Sequence, residues 1–254
     1  MFLGYKPLVM GICVTPSDVE LFACAKSISF NYSNCKSNEE VARIHVRYGQ
    51  TVVFDDTQLI LLTGVSATHA LETTIERFAF KVNQWLTKKS PNNIDLTFGE
   101  YDQLKVAYSI PREIRMVTVQ HEQGANTFPI DLFGAAGADH LILSLRHRKK
   151  SCEQIGEAKL ITIRVMSGNY APFAYFLGRA HSMGWHKAVM PPDQIGKEEF
   201  EFAKTIGDYG VHRIMILRRT SPMVDDSWEQ LVHIHRSYAN WHKRQGFPLK
   251  EIPH

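Results

Sequence analysis

The chain has 254 residues, of which 44% are hydrophobic and 22% charged, enough for one large or two modest domains with a full core. The net charge is only +3 and most basic residues are scattered, so we expect no nucleic-acid partner. No apolar run reaches the roughly 18–20 residues that a bilayer-spanning helix needs, and the four cysteines show neither CxxC nor zinc-finger spacing. These features predict a soluble, cytoplasmic protein with reduced thiols and no membrane segment.

The first part of the chain, residues 1–90, is predicted to be an α+β segment, and the sequence leaves its role unassigned. Runs rich in apolar residues, separated by turn formers, predict its strands. The predicted strands are 7–14, 19–25, 41–48 and a hairpin made of 51–54 and 58–62, joined by 55–57.

A helix is predicted from about residue 66 to 87, because apolar residues recur there at alternating steps of four and three. These residues are Leu71, Ile75, Phe78, Val82 and Trp85. A single apolar stripe of this kind predicts a helix that faces the core. The run 88–93 then combines charge, proline and turn-forming residues, and it is the predicted boundary between two units.

The second unit, residues 94–254, is predicted to be mainly β. Its predicted strands lie near 94–98, 104–108, 115–119, 140–146, 160–166 and 211–219. Aromatic residues gather between 167 and 205, where they either cover a ligand or belong to the core; they are Tyr170, Phe173, Tyr175, Phe176 and Trp185. A capped helix is predicted to begin at Ser227, with Gln230 at capping-box spacing. His233 and His235 would point to different sides of that helix, but they would share a face if the segment were a strand. No carboxylate-rich motif accompanies them, so we expect no metal site.

The segment 115–166 carries the strongest functional signal. A strand (115–119) leads into a turn (121–126), a loop (127–137) and a second strand (141–146). The basic run 146–150 follows, and Ser151 with Gln154 has the spacing of a capping box that opens a short helix. Free N–H groups, the positive end of the helix dipole and cationic side chains would then converge, which favours a phosphate. The alternative is an ordinary helix start beside a solvated basic surface.

The loop at 124–131 adds exposed backbone, polar side chains and two aromatic residues, a combination suited to a planar ligand with a phosphate tail. In these segments the sequence resembles the flavin reductase-like family, whose fold is the FMN-binding split β-barrel. The resemblance runs through 126–134, 141–155, 160–166 and 208–219, and covers roughly residues 108–220. It implies a mainly β or α+β fold: an FMN-binding split β-barrel with flanking helices, here with an additional N-terminal α+β segment.

The resemblance also implies site residues. Asn126, Thr127, Phe128 and Pro129 match the family's FMN-facing segment. Lys149, Lys150 and Ser151 match its phosphate-binding turn, and His212 matches a histidine that opens the last strand of the barrel. Arg146, which begins the same basic run, is the ninth candidate for cofactor binding. His212 would either hydrogen-bond the flavin or anchor the strand. Pro129 and Asp131 stand where the family usually has hydroxyl residues. Because Asp131 would repel a phosphate, we expect it to point elsewhere or to cap a turn.

In that family the barrel binds FMN at a homodimer interface, and many members pass hydride from NAD(P)H to flavin. The resemblance therefore implies a homodimeric flavoprotein that acts on small molecules as an NAD(P)H-dependent FMN oxidoreductase. Such a reductase needs no acid–base pair, in agreement with the lack of hydrolase motifs. Two alternatives stay open: a non-catalytic FMN- or haem-binding protein, and a structural dimerisation module whose ligand site has decayed.

Overall fold

The computed structural model describes the chain in seven segments: residues 1–34, 38–55, 57–87, 96–179, 196–222, 231–233 and 236–246. In these segments the chain is mostly β, with helices at the flanks, as the sequence predicted. Two large antiparallel sheets and one short strand pair hold the described strands.

The first sheet consists of the N-terminal strands, in the order β1–β2–β5–β4–β3. They are β1 (Phe2–Tyr5), β2 (Leu8–Val14), β3 (Ile28–Ser33), β4 (Glu40–Phe54) and β5 (Thr57–His69). The strands predicted at 7–14 and 41–48 and the hairpin at 51–62 are confirmed. The strand predicted at 19–25 is wrong, since helix α1 (Pro16–Cys24) lies there. Pro16 favours this helix because it suits the first helical turn, where its missing N–H removes no bond.

Helix α2 (Thr74–Thr87) begins later than predicted, because residues 66–69 still belong to β5. The prediction that its apolar stripe faces the core is wrong in the described structure. Ile75 is 81% exposed and Trp85 73% exposed, while Leu71, which precedes the helix, is buried. Periodicity shows that one side of a helix is apolar, but it does not show what covers that side.

Helix α3 (Phe98–Ala107) replaces the strand predicted near 104–108. Of the strand predicted near 94–98, residues 94 and 95 lie outside the described residues, and residue 98 already belongs to α3. A capping box explains this difference. The hydroxyl of Thr97 accepts the N–H of Glu100, and the Glu100 carboxylate accepts the N–H of Thr97. Two donors at the start of the helix are satisfied in this way, which favours helix over strand at this point. The boundary predicted at 88–93 lies outside the described residues.

The second sheet has seven strands in the order β8–β7–β11–β12–β13–β10–β9. Its strands are β7 (Arg115–His121), β8 (Gly124–Ile130), β9 (Phe133–Ala136), β10 (His140–Arg146), β11 (Leu160–Val165), β12 (Lys197–Tyr209) and β13 (His212–Arg219). The short strands β6 (Arg112–Glu113) and β14 (Val232–His233) form a separate pair. The strands predicted at 115–119, 140–146, 160–166 and 211–219 are confirmed.

The turn and loop predicted at 121–137 are largely wrong, because most of this segment forms strands β8 and β9. Glycine, asparagine and proline favour loops in a sequence, but β8 lies at the edge of the sheet. An edge strand tolerates Pro129, since the proline can turn its side without an N–H away from the ladder. The turn itself is short and consists of Glu122 and Gln123.

Two further helices flank the second sheet, α4 (Lys150–Glu157) and α5 (Ala171–Arg179). Helix α6 (Arg236–Arg244) lies beside helix α2, where Arg244 donates to the carbonyl of Leu71 and to the carboxylate of Glu76. The helix start predicted at Ser227 and Gln230 lies outside the described residues, whereas residues 232–233 are strand β14. Tyr170 and Phe173 pack into a core cluster, as one of the two interpretations of the aromatic run required. Phe176 is 65% exposed, and Trp185 lies outside the described residues.

The two large sheets share an apolar core. Leu3, Leu59 and Leu61 of the first sheet lie in one buried cluster with Ile142 and other residues of the second sheet. A second cluster packs α3 against the first sheet, and a third packs α4 against the second. This arrangement brings strand β1 and helix α3 close to the end of β10 and the start of β13. The basic run 146–150 and His212, which the sequence analysis proposed as site residues, lie there.

Candidate functional site

The nine residues that the sequence predicted as cofactor-binding line one open cavity of about 580 Å³. They are Asn126, Thr127, Phe128, Pro129, Arg146, Lys149, Lys150, Ser151 and His212. They come from strand β8, the end of β10, the start of α4 and the start of β13. Residues separated by up to 86 positions in the sequence (126 to 212) therefore meet around a single space.

Strand β8 forms one wall of the cavity. Asn126 and Thr127 are buried, and Phe128 and Pro129 are half-buried. The amide nitrogen of Asn126 donates to Oε1 of Gln154 at 2.6 Å, which ties β8 to helix α4. This bond also corrects the predicted capping box, because the Gln154 side chain serves Asn126 instead of the start of its own helix. A strand is a more rigid support for these residues than the loop that the sequence predicted.

The start of helix α4 forms a cationic corner. Lys149 is the N-cap residue with no side-chain cap, so Ser151 is an ordinary residue of the first turn, contrary to the prediction. The first N–H groups of a helix have no acceptor within the helix, and they carry the positive end of its dipole. Arg146 is held in the same turn, because its carbonyl accepts the N–H of Lys149 at 2.9 Å. The corner therefore suits an anion.

One carboxylate lies at this corner. Nζ of Lys150 donates to Glu153 at 2.9 Å, and this bond raises the pKa of Lys150. Both side chains are about half exposed, and such surface pairs contribute little to stability. An incoming anion can therefore replace Glu153 at small cost.

His212 presents an unsatisfied polar atom in the cavity wall. It is 2% exposed, and among the described residues its buried Nδ1 has no hydrogen-bond partner. Burial, assisted by the positive charges of Arg146 and His147, lowers the pKa of His212 from 6.5 to about 4. The ring is therefore neutral at physiological pH. The buried hydroxyl of Ser144, which also lines the cavity, likewise has no partner among the described residues.

Asp131 does lie at the cavity, but its charge is balanced. Its carboxylate is 2.7 Å from the guanidinium of Arg112 and 3.2 Å from Nδ1 of His233. Burial favours the neutral acid, yet the bond with His233 and the charge of Arg112 outweigh it and lower the pKa of Asp131. Arg112 in turn stacks on the ring of Tyr108 at 3.4 Å. The positive charge of Arg112 therefore offsets the repulsion that Asp131 would otherwise exert on a phosphate.

Several cavity residues were missed by the sequence analysis. Tyr5 comes from β1, Tyr101 and Leu104 come from α3, and His233 comes from β14. The first three lie in segments that were left unassigned or predicted as strand, and His233 was considered only as a metal ligand. No local pattern marks Tyr5, because its place in the cavity depends on the packing of the first sheet against the second.

Comparisons with known proteins place the chain near flavoproteins of solved structure. No protein-family model matches the chain, and no curated protein matches it in sequence. The similar solved structures are flavin reductases and FMN-binding proteins, as the sequence resemblance predicted.

Three of these solved structures show the extent of the similarity. An FMN-binding protein from Thermus thermophilus is 12% identical with a TM-score of 0.46, over 58% of this chain and 91% of that chain. The styrene monooxygenase flavin reductase from Pseudomonas putida is 11% identical with a TM-score of 0.43, over 52% and 91% of the two chains. An NADH:FAD oxidoreductase from Streptomyces globisporus is 10% identical with a TM-score of 0.47, over 57% and 94%. In each of the three, the similarity covers little more than half of this chain.

Within the described residues, no group of three or more His, Cys, Asp or Glu side chains is placed to hold a metal ion. None of the helices in the described segments is long and apolar enough to cross a membrane. Cys13, Cys24 and Cys152 form no disulfide with one another.

Proposed function

We propose that the cavity binds FMN and that the protein is an NAD(P)H-dependent flavin oxidoreductase. The observation that carries this proposal is the convergence on one cavity of a cationic helix start, a polar strand wall and a neutral buried histidine. A phosphate suits the first of these, and a planar ring with hydrogen-bonding edges suits the other two. The cavity of about 580 Å³ is within the roughly 300–1,000 Å³ range of cofactor sites.

The residues present fit this cofactor. Arg146, Lys149 and Lys150 would face the phosphate together with the N–H groups at the start of α4. Nδ1 of His212 and the hydroxyl of Ser144 are buried polar atoms that would find partners at the polar edge of the ligand. Phe128 and Pro129 supply an apolar surface for the ring.

FMN, when bound, supplies hydride-transfer chemistry, and the protein supplies the binding, the orientation and the electrostatics. In this cavity the cationic corner would hold the phosphate end, and β8 would hold the ring edge. The bond between Asn126 and Gln154 ties β8 to α4. It would therefore fix the distance between the phosphate contacts at α4 and the ring contacts on β8. NAD(P)H as the reductant rests on the family resemblance.

The test is a titration of purified protein with FMN and with riboflavin, which lacks the phosphate. We expect FMN to bind more tightly than riboflavin. The double variant Lys149→Ala and Lys150→Ala should weaken FMN binding at least about tenfold and leave riboflavin binding nearly unchanged. A matched control is Lys159→Ala with Lys197→Ala, which removes the same charge at exposed positions outside the cavity.

Equal losses for both flavins in the cavity variant would contradict a phosphate at this corner. Absence of flavin binding by the natural chain would contradict the proposal as a whole. Bleaching of the bound flavin by NADH or NADPH under anaerobic conditions tests the reductase activity separately. A protein that binds FMN but is not bleached would be a non-catalytic flavin-binding protein, the first alternative raised by the sequence.

Haem is the second candidate ligand, and the structure offers one observation in its favour. His212 and His233 both line the cavity, and a neutral imidazole such as that of His212 is a common axial ligand of haem iron. The visible spectrum separates the two ligands, since haem gives an intense Soret band and FMN gives the flavin bands. Homodimerisation is likewise a proposal from the resemblance, and light scattering of the purified chain measures it. A chain that dimerises but binds neither ligand would be a structural module with a decayed site.

A further inference from the structure

Two tight turns from different sheets meet beside the cavity. The turn after β1 contains Lys6, and the turn between β12 and β13 contains Gly210 and Val211. The N–H of Val211 donates to the carbonyl of Lys6 at 3.2 Å. A Cβ atom at Gly210 would lie only 1.7 Å from that same carbonyl oxygen, so a residue without a side chain is required there. This close approach sets the position of the residue before Lys6, which is Tyr5.

Tyr5 is inserted between two residues of the predicted site. Its ring lies edge-on against the ring of His212, with the centroids 4.4 Å apart. Its hydroxyl accepts a hydrogen bond from Nε of Arg146 at 2.7 Å. Both Tyr5 and Arg146 line the cavity. Tyr5 is half-buried, and this burial raises the pKa of its phenol.

The bond to Nε limits what Arg146 can do. An arginine side chain is long and flexible, and it loses rotamer freedom when it is fixed in one geometry. The Tyr5 hydroxyl holds the inner edge of the planar guanidinium and leaves its terminal nitrogens for another partner. Because Arg146 lies at the turn that leads into α4, these nitrogens are available to an anion at the start of that helix.

We propose that Tyr5, from the N-terminal segment, is a positioning residue that presets the guanidinium of Arg146 for the phosphate end of the bound ligand. The inference rests on the proposed function, and it gives the N-terminal segment a role in the site. The competing interpretation is that Tyr5 only packs against His212 and fills space. The two differ in their consequences, since packing affects every ligand of the cavity, whereas preorganisation of Arg146 affects only ligands that carry the anion.

The experiment uses the full chain, the probes FMN and riboflavin, and the variant Tyr5→Phe, which keeps the ring on His212 but removes the hydroxyl. We expect the Kd for FMN to rise about threefold to tenfold, with the Kd for riboflavin unchanged within about twofold. Arg146→Met should weaken FMN binding by at least about tenfold. In the Arg146→Met background, Tyr5→Phe should have no further effect, because the two side chains act as one unit.

The matched control is Tyr48→Phe. Tyr48 also loses a hydroxyl bond, to Thr51 at 2.9 Å, but it lies outside the cavity and should leave both dissociation constants unchanged. Retained riboflavin binding shows that each variant is folded. An unchanged preference for FMN in Tyr5→Phe, an equal loss of both flavins, or additive effects with Arg146→Met would each overturn the positioning role. If the natural chain binds neither flavin, the proposed function itself fails. If the natural chain binds FMN and Tyr5→Phe binds it equally well, only the positioning role of Tyr5 fails.

Discussion

Gly210→Ala is the most direct test of how the two sheets are joined beside the cavity. Gly210 has φ of +61°, a conformation that costs an alanine about 1–2 kcal/mol. The added Cβ would also lie 1.7 Å from the carbonyl oxygen of Lys6, so the two turns must separate by roughly 1 Å or more. Separation breaks the bond between Val211 and Lys6, a further loss of about 1 kcal/mol. We expect the free energy of unfolding to fall by about 2–3 kcal/mol in total.

Urea denaturation, followed by the circular dichroism of the sheets, measures this loss. The control is Gly246→Ala, where φ is +76° but no atom of the described residues lies within 4 Å of the added Cβ, so within that part of the chain only backbone strain is introduced. The difference between the two variants isolates the contact between the turns. The reasoning is refuted if Gly210→Ala is no more destabilising than Gly246→Ala, because the close approach to Lys6 would then not constrain the native state.

Two other predictions concern titratable groups of the cavity wall. His212 has a pKa of about 4 in the folded state and an ordinary value of 6.5, so the unfolded chain binds more protons between these values. The free energy of unfolding of the natural chain should therefore fall by roughly 3 kcal/mol as the pH drops from 6.5 to 4. In His212→Asn this part of the pH dependence should be absent. If urea denaturation shows the same pH dependence for both chains, burial does not lower the pKa of His212. Asp131→Asn leaves the buried guanidinium of Arg112 without its carboxylate and should cost about 3 kcal/mol in the same assay. Glu122→Gln, in an exposed pair, should cost less than about 1 kcal/mol, and equal losses would show that the Asp131 pair is not special.

Part of the site could be predicted because its signals are local. The basic run 146–150 is contiguous, and any chain turn that leads from it into a helix brings cations to free N–H groups. The alternation of Ile161, Ile163 and Val165 likewise predicts a strand from a few consecutive residues, and β11 is found there, although Thr162 on its other face is also buried. In these cases the physical cause lies within one element, so the sequence contains it.

Two errors came from local signals that were overlooked, namely Pro16 at the start of α1 and the capping box of α3. Others have a non-local cause. Residues 124–130 favour a loop by composition, and they form a strand only because β7 offers a partner at the edge of the sheet. Gln154 has the spacing of a capping residue, but the nearness of Asn126 on β8 gives its side chain a better-buried partner. Helix α2 shows that an apolar stripe can be exposed in the described structure. The strand at 124–130 and the bond of Gln154 each depend on a partner that is distant in sequence.

The sequence by itself determined the apolar strands of the second sheet, the cationic turn before α4 and the residue types that suit a phosphate-bearing planar ligand. Only the tertiary structure decided that these elements enclose one cavity, that Arg112 neutralises Asp131, and that Tyr5 reaches Arg146 across 141 positions of sequence. The reason is physical: propensities and caps act over a few bonds. The contacts that close the cavity form only when the two sheets bury a common core, and that burial is a property of the whole chain.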